Sequence, residues 1–170
     1  LRAWGISDPA AFQWFEAPEP AALERAEALL VALGAVEASH GGLTSAGKAM
    51  LSMPAHPRLS RMLVAAHEEG ILVEGATLAA LIEERDIVPV SISPRAARAG
   101  GGGARETGPS DLLVRLELFE EAEGAGFGRE RSSTLGVDPA AARSVARARD
   151  SLLRAAREAL GSRPAASKGT

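Results

Sequence analysis

Two closely spaced prolines, Pro54 and Pro57, constrain this chain more than any other feature. Each denies the residue before it the α conformation, whereas Pro57 itself suits a first helical position, where a missing N–H forfeits no bond. The stretch "LTSAGKAMLSMPAHPRLSRML" therefore predicts a helix capped by Thr44, a corner at residues 53–57, and a second helix beginning at once. In that second helix Leu59, Met62, Leu63 and Ala66 form an apolar stripe, Arg58 and Arg61 lie together on its edge, and Gly70 closes it. His56 suits a cap.

The same punctuation organises the rest of the chain. Ser7-Asp8-Pro9 predicts a helix start, with "AAFQWF" as a short amphipathic piece ended by Pro18 and Pro20. Leu23, Ala26, Leu29, Leu30 and Leu33 recur at helical spacing from Ala21, and Gly34 supplies a left-handed cap. "AVEASHGGLT" predicts a small β-hairpin around His40-Gly41-Gly42, with Val36 and Leu43 facing inward. "VEGATLAALIEERD" predicts an apolar helix central to a bundle, since Ala76, Leu78, Ala79, Leu81 and Ile82 leave little polar surface before Glu83. "IVPVSISP" is too rich in proline for a buried strand, and the glycine-dense run near 95–109 predicts a mobile loop. Ser110 or Asp111 caps a helix carrying Leu112, Leu113, Leu116 and Phe119, and "GAGFG" ends it. The last helix begins at Asp138-Pro139 and runs to about Leu160, leaving 162–170 as a disordered tail. The fold class expected is mainly α, with one small β-ribbon.

The chain has 170 residues, 46% of them hydrophobic, which is enough for a packed core. It has no cysteine, which removes disulfides and thiolate chemistry together. No apolar run approaches the roughly 20 residues a bilayer needs, so a soluble, cytoplasmic chain without a membrane partner is expected. The start at Leu1 and the polar end "GSRPAASKGT" read as a piece of something longer. The net charge of −3 disfavours indiscriminate nucleic-acid binding, but it averages a split. Residues 1–90 carry 6 Lys and Arg against 12 Asp and Glu, and residues 91–170 carry 13 against 10. A polyanion would meet the second half.

On the last helix Arg143, Arg147, Arg154 and Arg157 line up opposite Val145, Ala148, Leu152, Ala155, Ala156, Ala159 and Leu160, interrupted by Asp150. Such a stripe either tracks phosphates or is the solvated side of an amphipathic helix. Arg58 and Arg61 carry the same two readings, the second pairing them with Glu68, Glu69 or another helix's carboxylate. No catalytic, cofactor-binding or metal site emerges. The run Gly100–Gly103 lacks the Gly-Lys-Ser/Thr ending of a P-loop, and His40, His56 and His67 are scattered. Glu83, Glu84 and Asp86 cluster at a helix end without an opposing wall, which suits a solvated or Arg85-paired terminus better than acid–base chemistry. Trp4 and Trp14 suit core or interface anchors better than base stacking.

The segment Leu43-Thr44, Gly47, Met50, Pro54, Pro57-Arg58-Leu59 and Met62-Leu63, preceded by "ALERAEALLVALGAV", resembles the helicase-associated region that follows the two RecA-like domains of DEAH-box helicases. The HrpB-type branch is the most similar. Phe15 and Pro18–Pro20 upstream, and "LAALIEERD" and "SDLLVRLELF" downstream, resemble the same branch, although Ala46 and His56 depart from its usual Leu and acidic residue. The resemblance implies a winged-helix subdomain over 1–54 and a ratchet-like helical bundle over 55–161. It also implies packing on a RecA-like core in cis, a channel for single-stranded RNA or DNA, and ATP and Mg held by that core rather than by this chain. Two other classes stay open: an autonomous winged-helix DNA-binding regulator and a protein-docking scaffold. A regulator needs a basic recognition helix, and "TSAGKAMLSM" offers only Lys48.

Overall fold

The computed structural model describes residues 1–6, 8–39, 41–89 and 110–161. The expected loop near 95–109 and the expected tail lie outside the described residues, as do Ser7 and His40. A single 3-10 turn, Arg2–Trp4, precedes the helices α1 (Pro20–Ala32), α2 (Ser45–Leu51), α3 (Pro57–Glu69) and α4 (Leu72–Glu83). After them come α5 (Asp111–Gly124), α6 (Arg129–Leu135) and α7 (Pro139–Leu160). The chain is mainly helical, and it divides into two compact units: Leu1–Leu72 with the chain from Arg154 onward, and Val73–Leu153.

In the first unit the proline corner forms as its sequence requires. α2 ends at Leu51, α3 begins at Pro57, and the His56 ring accepts the Arg58 N–H at 3.3 Å. α2 packs on α3, and Met50, Met53, Leu59, Leu63 and Val64 are buried around the turn. Ser60 is wholly buried there, and its hydroxyl is satisfied by donating to the Ala55 carbonyl at 3.2 Å. Thr44 ties two helices at once: its hydroxyl accepts the Gly47 N–H at 2.9 Å, capping α2, and donates to the Gly34 carbonyl at 2.6 Å, beyond the end of α1. Gly47 leaves no alternative at its position, because a Cβ there would stand 2.0 Å from the Ala35 carbonyl oxygen.

Two expectations for this unit are corrected. The β-hairpin is reduced to one antiparallel bridge between Val36 and Leu43, and no strand occurs among the described residues. The ladder has nowhere to grow. Thr44 N–H donates to the Ala35 carbonyl at 3.1 Å and Glu37 N–H to the Gly42 carbonyl at 2.8 Å; beyond these, Ala35 N–H bonds back to Leu30 at the end of α1, the Thr44 side chain caps α2, and Gly41 N–H closes the other side on the Glu37 carbonyl. The hairpin of a winged helix is therefore not found among the described residues. The stretch after Asp8 is a turn rather than a helix: Asp8 accepts the Ala10 N–H at 2.9 Å, and the chain then passes through exposed residues to Pro20. With little to bury against, so short a piece between prolines does not repay helix nucleation. Trp4 is 79% exposed and Trp14 36% exposed, so neither is a core anchor.

In the second unit α4 buries Gly75, Ala76, Thr77, Ala79, Ala80 and Leu81, small residues that allow close approach, while Val73 and Ile82 stay exposed. Ile87 is wholly buried, and its carbonyl accepts the Asp138 N–H at 2.8 Å. Ser110 caps α5 through Leu112 N–H at 3.3 Å, and Phe119 and Ala122 on that helix are fully buried. Burying a ring the size of Phe119 contributes about 2–3 kcal/mol. The sequence predicts no helix at α6, which packs on α5. Its only large apolar residue is Leu135, so no stripe announces it.

Candidate nucleic-acid interface

α7 starts where Asp138 accepts the Ala140 and Ala141 N–H groups at 2.8 and 3.3 Å, as the Asp138-Pro139 pair predicts. Within the second unit it buries Ala141, Ala142, Val145, Leu152 and Leu153, and within the first unit Ala156. Arg143 and Arg147 of the second unit and Arg154 and Arg157 of the first are exposed, each on the helix side that the wheel assigned to it.

The four are not equivalent. Arg143 donates to the Phe127 carbonyl at 2.9 Å and to the Pro139 carbonyl at 3.4 Å. Phe127 has φ of 53°, a left-handed conformation that a side chain disfavours, and its ring lies 5.8 Å from the Phe119 centroid. Arg143 thus braces a strained connection. Arg147, Arg154 and Arg157 have no hydrogen-bond or ion-pair partner among the described residues. Their guanidinium groups are open to a ligand. Arg58 is likewise exposed, whereas Arg61 is half-buried with Glu68 3.8 Å away, one of the pairings its position in the sequence predicts.

The most engaged arginine of α7 escaped the wheel. Arg149 donates to Glu123 at 2.7 Å and to Asp150 at 3.0 Å, and it lies 5.6 Å from the centre of the Phe119 ring. Its hydrogen bond to Glu123, and then that to Asp150, raise its pKa despite partial burial. A signal was present: Val145, Arg149, Leu152 and Ala156 follow the four-three-four spacing of a buried stripe, so Arg149 stands where an apolar residue was due.

The acidic cluster at the end of α4 is occupied structurally. Asp86 takes a two-pronged bond from Arg115, at 2.8 and 3.1 Å, and Glu84 accepts from Ser144 at 2.9 Å. Arg85 reaches Asp138 at 3.9 Å. Among the described residues no three His, Asp or Glu side chains group to hold a metal ion, and no helix is long and apolar enough to cross a membrane. What remains is a set of exposed guanidinium groups, which recognise phosphate by charge and forked hydrogen bonding without reading sequence.

Residues 56–159 match the family model described as Helicase associated domain (HA2), ratchet-like. The chain is 38% identical over 84 residues to the ATP-dependent RNA helicase HrpB of Escherichia coli, covering 49% of this chain and 10% of that protein. It is 30% identical over 131 residues to the probable ATP-dependent RNA helicase DHR2 of Saccharomyces cerevisiae, covering 71% of this chain and 17% of that protein. With the Escherichia coli helicase HrpA it shares 32% identity over 90 residues, 51% of this chain and 7% of that protein. The chain therefore spans only a small part of the length of these relatives. With more than half of its residues inside the family model, and with the resemblance to HrpB-type helicases matched by these relatives, the chain belongs to the ratchet-like helicase-associated domain family, an accessory region of DEAH-box RNA helicases.

Proposed function

We propose that this chain is a non-catalytic part of an ATP-dependent RNA helicase, packing on a RecA-like core in cis and lending α7 to the path of a single strand. The observation that carries the reading is the set Arg147, Arg154 and Arg157: exposed, on one helix, and without a partner among the described residues. Arg58 is a secondary contact. Arg143 and Arg61 contribute less, because a backbone brace and Glu68 already engage them. ATP and Mg belong to the core in this proposal. RNA is preferred over DNA because the relatives are named RNA helicases. A duplex-reading regulator is less well supported, for α2 has only Lys48 as a cation and the wing hairpin is reduced to a single bridge among the described residues.

The test is anisotropy of a labelled single-stranded RNA across a salt series, with the chain and with its R147A/R154A/R157A variant. Single-strand phosphate contacts each contribute about 0.7 to the slope of log affinity against log salt, so the triple variant should flatten it by about 2. An unchanged slope and affinity would remove these arginines from the strand path.

A further inference from the structure

We infer that the amino-terminal face of the first unit, from Trp4 through α1, is a docking surface for an arginine- and lysine-rich segment of a partner protein. This does not rest on the strand reading above. Three observations on one stretch of chain support it.

First, aromatic side chains are held out into water. Phe15 is fully exposed and Trp4 is 79% exposed. Both are presented by ordered backbone: Trp4 closes a turn through Leu1 at 2.8 Å, while Trp14 next to Phe15 is fixed by its Nε1–H on the Pro9 carbonyl at 2.9 Å and an edge-on contact with Phe12. Rings positioned in advance lose little freedom on binding, which is what makes exposed aromatics effective anchors. Second, no residue of α1 is fully buried: Leu23, Leu29 and Leu30 are half-buried and Val31 is exposed. Third, the charge of this stretch selects the occupant. Between Leu1 and Ala32 only Arg2 and Arg25 offset Asp8, Glu16, Glu19, Glu24 and Glu27, and Arg2 is already paired with Glu27. A cleft between the Asp8 turn and α1 shows the combination on a small scale, with Pro9, Pro20 and Leu23 as apolar lining beside Asp8 and Glu24, while Arg2, also in the lining, is paired with Glu27.

A phosphate backbone would be repelled here. A purely apolar partner would leave the carboxylates unmatched. A segment with Arg or Lys beside aliphatic residues meets all three features: its cations face carboxylates and ring faces, and its aliphatic groups and stems cover α1.

The experiment titrates the chain into a fluorescein-labelled peptide of interspersed Arg, Lys and Leu, with a Glu-for-Arg peptide and a single-stranded RNA as controls. The variants are W4A/F15A, which alters only exposed rings, and E16Q/E19Q/E24Q; circular dichroism checks that both keep the parent's fold. Salt-sensitive binding of the basic peptide but not of the Glu-for-Arg peptide is expected, with affinity for the basic peptide falling about tenfold or more in W4A/F15A while RNA affinity stays as in the parent, and less steep salt dependence of peptide binding in the glutamine variant. No binding at low salt would overturn the proposal. So would binding that W4A/F15A leaves intact, which would place the peptide on other carboxylates, or self-association abolished by W4A/F15A, which would make a second copy the occupant.

Discussion

Single residues decide the joints of this molecule. Thr44 and Gly47 are a pair of this kind: one hydroxyl serves the ends of two helices, and the glycine beside it admits no Cβ against the Ala35 carbonyl. Thr44→Ala should lose about 1–2 kcal/mol, Thr44→Ser much less, and Gly47→Ala about 2–3 kcal/mol, read as shifts of the urea midpoint at constant slope. Ser132 points the other way. Its hydroxyl is buried without a hydrogen-bond partner among the described residues, so Ser132→Ala should leave stability unchanged or raise it by up to about 1 kcal/mol. Asp86 sets a pH dependence. Its bond from Arg115 holds the carboxyl below its ordinary pKa, so its contribution is complete above the unfolded-state value and is lost as pH falls through the folded-state value. The stability gap between the wild type and Asp86→Asn should accordingly be widest near neutrality and shrink on acidification, and a gap that grew instead would contradict this assignment.

At the scale of elements, legibility followed chemistry that is local in the chain. Caps and prolines bounded α1, α2, α3 and α7 within a residue or two, because a capping side chain or a fixed φ acts only on its neighbours. Elements that depend on a distant surface were missed or misread. α6 has no periodic stripe and forms against α5, while the expected helix after Asp8 has the right start signal but little to pack on. α7 shows both cases on one helix. Its exposed arginines were legible from the wheel, but which of them are engaged was not, because the partners of Arg143 and Arg149 are Phe127 and Glu123 of other segments. Arg149→Ala should therefore cost about 1–2 kcal/mol, through the lost ion pair and ring contact, and Arg147→Ala should be close to neutral in the same melts.

At the scale of the whole molecule, binding and folding should separate. The R147A/R154A/R157A variant should keep the parent's Tm within a degree or two while weakening single-strand affinity, because exposed, unpaired cations contribute little to stability. A concerted loss of both would mean that these arginines serve the fold. The sequence by itself determined that this chain is mainly helical, where most of its helices begin and turn, and which helix carries a basic face, since propensity, capping and periodicity act over a few residues. Its resemblance to the helicase-associated family rested on motifs of the same local kind, and the family match agrees. Only the tertiary structure decided that the hairpin shrinks to one bridge, that α6 exists, that Arg149 is consumed in the fold while Arg147 is free among the described residues, and that Trp4 and Phe15 face water. Each of these turns on which distant groups meet, and burial and pairing energies are set by that meeting rather than by neighbours along the chain.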